Sequence, residues 1–399
     1  MTRVGRTVLA LGALCVACGD DDVVFDASVL EDATIDGATD GGSDAGLDAG
    51  PPTCVSQLAE GAFELAPGFR RTQIHPAATF DGERLFVTLT VVEEEGSGFD
   101  VVWFTVECDG TPSAPITVDD DVAPSDLEST IAVRGNTVLV AWQRDVGDGT
   151  ITTWHRAFDR AGTPTSEPTR LQTTREGAPV EGTHWFPHLA ATDDGFVLHG
   201  ARGLETVFQV YGQAFDADGR PSGESFVPAE DLERSQTAPF ALGDGTVAFD
   251  ASTDTDDFVN VVEGDVVSVL GESFGASATP TLAHVGASTL VAYSAGGRVM
   301  LEALGGSRVE VGSGGAAWLA EGAVLWLEGF SGAFASRVRA RAVAEDLALG
   351  EPVEVPIASR VAGLYRPALH HVEDGWYFAL WNDGTSPEFT ARGAFLRLR

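Results

Sequence analysis

Residues 184–228 read HWFPHLAATDDGFVLHGARGLETVFQVYGQAFDADGRPSGESFVP, and this stretch decides the fold. A segment opened around Pro187 is followed by the apolar run Phe196-Val197-Leu198. A third segment ends in the turn Asp216-Ala217-Asp218-Gly219-Arg220-Pro221, and Glu224-Ser225-Phe226-Val227-Pro228 comes after it. Short runs of β-branched and aromatic residues are strand compositions. In the turn, an Asp carboxylate can accept from nearby backbone amides and Gly can adopt positive φ. The stretch therefore predicts four short strands joined by tight turns.

The same unit recurs along the chain. Its first strands read His75-Pro76-Ala77-Ala78, Glu128-Ser129-Thr130-Ile131-Ala132, Phe186-Pro187-His188-Leu189-Ala190, Ala238-Pro239-Phe240-Ala241, Thr279-Pro280-Thr281-Leu282-Ala283, Gly315-Ala316-Ala317-Trp318 and Arg366-Pro367-Ala368-Leu369. Each precedes an apolar second strand such as Val138-Leu139-Val140-Ala141-Trp142 or Trp376-Tyr377-Phe378-Ala379-Leu380-Trp381. Arg337-Val338-Arg339-Ala340-Arg341-Ala342-Val343 looks helical by composition but alternates with period two and falls at a third-strand position. The repeat spacing, about 48 residues, is that of four-stranded propeller blades. The pattern resembles the β-propeller repeats of exported bacterial lipoproteins. The resemblance implies an all-β, seven-bladed β-propeller over residues 53–399. The last unit ends at Ala394-Phe395-Leu396-Arg397-Leu398 without a fourth strand, and Gly61-Ala62-Phe63-Glu64-Leu65-Ala66-Pro67 is expected to supply it. Closing the ring in this way leaves no large unpaired sheet edge.

The N-terminal region predicts where the domain is displayed. Arg3 and Arg6 precede an apolar segment, Thr7 to Ala17, that is too short to span a bilayer. Leu14-Cys15-Val16-Ala17-Cys18 resembles the cleavage site of a bacterial lipoprotein signal peptide, with Cys15 where that pattern usually has Leu. The resemblance implies a signal peptide over 1–17 and lipid on Cys18, anchoring the protein in the cell envelope, at the outer membrane. An ordinary secretory signal cut nearby is the alternative, and either one exports the chain. Residues 19–52 hold nine Asp and one Glu with no Lys or Arg. Few large apolar residues and self-repelling charge predict a disordered tether over 18–52. The spacing of Asp32, Asp36, Asp40, Asp44 and Asp48 lacks the alternate ligands of a calcium loop, so no metal site is read there.

Composition excludes some functions. With 60 acidic against 24 basic residues and a formal net charge of −36, the chain has no means of neutralising a nucleic-acid backbone. Ring closure would bring Cys54 and Cys108 close enough to meet, and an exported chain meets oxidising conditions, so a disulfide is expected; the alternative is two thiols too far apart to bond. Hydrolase elbows, zinc-protease helices, Walker loops and dinucleotide fingerprints are absent. A sialidase-type turn is approached only by Asp148-Gly149-Thr150-Ile151-Thr152-Thr153-Trp154, which lacks its Ser and Gly spacing. No cofactor is expected, and the protein is read as a monomer and as a non-enzyme. Its function is read as binding or scaffolding at the envelope, with a protein or glycan ligand. The candidate ligand site is the channel mouth, where His75, Glu128, Phe186, His188, Thr279 and Arg366 flank the first strands. The alternative is a carbohydrate-active hydrolase or lyase using His75, Glu128 and Arg366 there. A purely structural ectodomain is the third reading.

Overall fold

The computed structural model describes residues 54–399 except 59–60, 70, 93–97, 120–124, 148–149, 176–177, 180–181, 205–206, 231–233, 254–256, 271–278, 332–333, 358, 363–365, 374 and 386–387. The expected signal peptide, Cys18 and the acidic tether lie outside the described residues. No described helix is long and apolar enough to cross a membrane.

The described chain is almost wholly strand, arranged as a propeller-like all-β fold. Five four-stranded antiparallel sheets follow one another, beginning with the inner strands Arg71–Phe80, Ser125–Arg134, His184–Ala191, Ser235–Ala241 and Thr281–Val285. A nine-stranded sheet then contains two further four-stranded runs. One is Gly315–Ala320, Ala323–Ser331, Phe334–Ala342 and Val353–Val355; the other is Ala368–Glu373, Trp376–Thr385, Glu388–Arg397 and Ala62–Glu64. The short strand Val361–Ala362 joins them by pairing with both Phe334–Ala335 and Asp383. Ala62, Phe63 and Glu64 pair antiparallel with Ala394, Gly393 and Arg392, so the N-terminal strand completes the last run. Successive inner strands touch, and Ala368–Glu373 touches Arg71–Phe80 to close the circuit.

The core is distributed as wedges between consecutive sheets. Val87, Leu89 and Phe104 of the first sheet pack with Phe378 and Leu380 of the last, whereas Phe86 and Trp103 pack with Val138, Val140 and Trp142 of the second. Each sheet is therefore apolar on both faces. That is why second strands such as Leu85–Val92 are buried at every residue instead of alternating.

The inner strands share a local distortion. Register shifts fall between Gln73 and Ala77, Leu127 and Ser129, Trp185 and His188, Thr237 and Phe240, and Gly315 and Trp318. At three of these bulges a non-glycine residue has positive φ: Phe186 (54°), Ala238 (49°) and Ala316 (51°). Pro187 and Pro239 follow the first two, where an extra residue is already outside the ladder and a missing N–H costs nothing. The turns between third and fourth strands also have a local cause. Asp159 Oδ1 accepts from the amides of Ala161 and Thr163, and Asp216 Oδ1 from those of Asp218 and Arg220. Gly162 and Gly219 follow with φ of 93° and 78°. Cys54, at the start of a 3-10 turn, is disulfide-bonded to Cys108 in the corresponding turn of the first sheet.

Candidate functional site

The inner-strand bulges surround an axial cavity of about 70 Å³. Glu128, Ser129 and Thr130 line it from the second sheet, Phe186 and His188 from the third, Phe240 from the fourth, Trp318 from the sixth run and Arg366 from the segment before the seventh. The lining thus comes mostly from residues at or next to the inner-strand bulges. Three residues just after the bulge or strand start also bind consecutive strands together. Thr130 Oγ1 accepts from Leu189 N (3.0 Å), His188 Nδ1 from Ala241 N (3.2 Å) and Thr281 Oγ1 from Leu319 N (2.9 Å).

The aromatic wall is continuous. His188 lies 4.2 Å from Phe240, Phe240 meets Trp318 edge-on at 5.1 Å, and Trp318 lies 6.0 Å from His370, centroid to centroid. His188 is surrounded by protein, and the surface it retains faces the cavity. Burial, reinforced by His199, Arg366 and His370, pushes its pKa down to about 3. The ring is therefore neutral, and acceptance at Nδ1 leaves the proton on Nε2.

Arg366 is the cation of the site. Its Nη1 makes long contacts to the carbonyl oxygens of Thr279 (3.4 Å) and Pro280 (3.5 Å). Burial pushes the guanidinium down to about 10, while the Glu128 and Asp250 carboxylates oppose that shift. Glu128 is held in place by Gln143 Nε2, which donates to Oε2 at 2.8 Å. Two carboxylates from different sheets thus act on one half-buried guanidinium beside an apolar wall, and Glu128 shares its cavity.

Of the residues singled out from sequence, Glu128, Phe186, His188 and Arg366 line this cavity. Thr279 contributes its backbone carbonyl to Arg366. The backbone of His75 lies in the strand Arg71–Phe80, but its side chain is outside the described residues. Sequence reasoning missed Phe240, Trp318 and Asp250. The column of residues that resumes the ladder after each bulge, which reads Ala77, Ser129, His188, Phe240 and Trp318, holds the signal for the first two. Asp250 sits on a second strand, outside that column. Trp185 is half-buried with its ring 6.0 Å from that of the cavity-lining Phe186.

No family model matches the chain, and no curated protein sequence matches it. Solved structures do. A protein of unknown function from Dyadobacter fermentans superposes with a TM-score of 0.54 at 8% identity, covering 86% of this chain and 99% of its own. The Penicillium chrysogenum α-L-arabinanase complexed with arabinobiose gives 0.52 at 11% identity, covering 83% and 98%. The GH93 α-L-arabinofuranosidase of Fusarium graminearum gives 0.51 at 11% identity, covering 84% and 96%. At these identities the likeness is one of fold. It nevertheless corrects the expectation of a non-enzyme, which rested on the lack of a catalytic motif. Two of these three like structures are glycoside-cleaving enzymes by name, and this architecture accommodates catalysis at sequence distances where no short motif would be shared.

Proposed function

We propose that this protein is a carbohydrate-active hydrolase acting at the mouth of the axial cavity. The observation that carries the reading is the convergence of Glu128 and Arg366 on one cavity walled by Phe186, Phe240 and Trp318. Glycoside hydrolysis requires two carboxyl groups flanking the scissile bond, one protonating the leaving oxygen and the other acting as base or nucleophile. Glu128, which lines the cavity, is assigned one of these roles, and Asp250, outside the lining but close enough for its charge to act on Arg366, is the candidate for the other. A cavity of about 70 Å³ has room for a hydroxyl or hydroxymethyl group of a terminal sugar, with the ring above it against the aromatic wall. Arg366 and the Nε2–H of His188 supply donors for that group. The arabinan- and arabinofuranoside-directed names of the like structures make α-L-arabinofuranosides the first substrates to try.

The test is turnover of a panel of 4-nitrophenyl glycosides and of arabinan by the wild type and Glu128→Gln. At least one substrate should be cleaved, and Glu128→Gln should lower kcat/KM by about 10²-fold or more. Absence of turnover across the panel, or an unchanged kcat/KM in the variant, would sink the assignment.

The proposal extends to display. The domain is read as a closed ring of seven four-stranded blades, carried by the acidic tether and held at the envelope by lipid on Cys18. The closed circuit of inner strands supports the ring. The Cys54–Cys108 disulfide supports an oxidising, exported location. Incorporation of labelled palmitate into the full chain, lost in Cys18→Ser, is the expected result. Persistence of label in Cys18→Ser would exclude the anchor.

A further inference from the structure

The outer strands of the sheets differ in how they protect their open edges. Ile116–Thr117 and Thr169–Arg170 have two residues, and Ala62–Glu64 and Val353–Val355 have three. Arg308–Ser313 is longer but carries Arg308 and Glu310, and Pro221–Phe226 carries Glu224. Short length and charge are the usual means of blunting an edge. Val266–Leu270, the outer strand of the fourth sheet, uses neither. It has five residues, no charge, and Val266, Val267 and Val269 exposed by 62%, 48% and 54%. Among the described residues it pairs only with Asp257–Glu263.

The register shows where the exposed valines point. Val269 pairs with Asn260 and Asn260 with Phe249, while Val267 pairs with Val262 and Val262 with Val247. Phe249, Val247 and Val262 pack with Val210 of the third sheet, so Val267 and Val269 face that sheet. On the third sheet, Phe226 pairs with Gly212, two residues from Val210, and therefore faces the fourth. A Cβ on Gly212 would lie 2.3 Å from the Phe226 ring, so glycine is what allows Phe226 to lie flat there, 44% exposed. The gap between the third and fourth sheets is thus apolar at its rim on both sides, beside a strand whose outer edge has no partner among the described residues.

We propose that the edge of Val266–Leu270 is a docking site for an extended, cationic segment of a partner protein, which adds a strand to the fourth sheet. An open edge offers main-chain hydrogen bonds, and alternate side chains of the incoming strand would enter the apolar rim. Charge selects the occupant. Exposed Glu263 and Asp265 stand at the hairpin end of the edge strand, Glu224 is exposed on the outer strand of the third sheet, and the chain as a whole carries −36. A second copy would bring the same acidic groups together, whereas Lys or Arg at the ends of the incoming strand would meet them with opposite sign.

The experiment titrates the full chain into a fluorescent peptide of alternating Val and Thr with Lys at each end, followed by anisotropy. Saturable binding is expected, weakened by added salt, and weakened at least about tenfold in Val267→Lys/Val269→Lys. The same peptide with Glu at each end should not bind. Thermal melting confirms that the double variant is folded; if it is not, Val269→Thr takes its place, with reduced affinity still expected. No saturation up to about 1 mM, equal binding by the folded variant, or equal binding of the Glu-ended peptide would overturn the proposal. So would concentration-dependent dimerisation of the wild type that the double variant abolishes, because the edge would then serve self-association.

Discussion

Imidazoles enclosed between the sheets couple this fold to pH. The ring of His155 lies edge-on to Phe215 at 5.0 Å between the second and third sheets, and neither nitrogen has a hydrogen-bond partner. Burial pushes its pKa down to about 4; His184, His199 and His370 are pushed to about 4 and His188 to about 3. In the unfolded chain these rings titrate near 6.5. Between those values the unfolded state binds more protons, so the stability these rings permit is full above about pH 6.5 and is lost as pH falls toward 4. His155→Phe keeps an aromatic ring against Phe215 and removes both the unpartnered nitrogens and one linked proton. Relative to wild type, the variant should gain about 1–3 kcal/mol at pH 5 and show a shallower decline between pH 6.5 and 4. Urea titrations at pH 8, 6.5 and 5 measure this, and parallel stability curves for the two proteins would contradict it.

The repeated element was more legible in the sequence than the site it builds. Second strands could be read because a sheet buried on both faces needs unbroken apolar runs, as in Val138-Leu139-Val140-Ala141-Trp142. The Asp/Gly turns could be read because their hydrogen bonds close within five residues, as around Asp159 and Asp216. Most inner strands are marked by a proline, but only some of the residues that reach the cavity are legible beside it. A bulge inserts one residue and reverses which side chains face inward beyond it. Reading the residues around the prolines finds Phe186, His188 and Arg366 yet passes over Phe240 and Trp318, although Phe240 immediately follows Pro239. Asp250 was invisible for a different reason. It lies outside the cavity lining and acts on Arg366 by charge, from a strand whose sequence gives no sign of lying near the axis. Glu128 and Asp250 stand on strands of separate sheets, and spacing along the chain does not record which carboxylates the fold brings toward Arg366.

At the scale of the whole molecule, the ring is joined noncovalently at one place, and the disulfide sits beside it. The closing strand Ala62–Glu64 is held by pairing with Arg392–Ala394 and by the hydrogen bond from Leu65 N to Ala391 O. Phe63 packs 6.1 Å from both Phe378 and Phe395, and Leu65 and Ala66 are fully buried, so side-chain packing holds the strand as well. Cys54 precedes this strand and is tied to Cys108 of the first sheet, so the closing segment is fixed on both sides of its own contacts. The cross-link spans 54 positions, and in the chain-entropy model a loop of that length stabilises the folded state by about 4 kcal/mol. The variant Cys54→Ser/Cys108→Ser should fold, because Phe63 and Leu65 still dock, but with a urea midpoint lowered by an amount equivalent to about that energy. The loss should also be local in its first expression. Amide exchange at Ala62–Leu65 and Arg392–Ala394 should accelerate well beyond that at Val138–Trp142, since opening the ring at its joint leaves the inter-sheet wedges in place. Uniform acceleration across all sheets would instead mean that the closing strand has no independent opening and that the disulfide acts only on the unfolded chain.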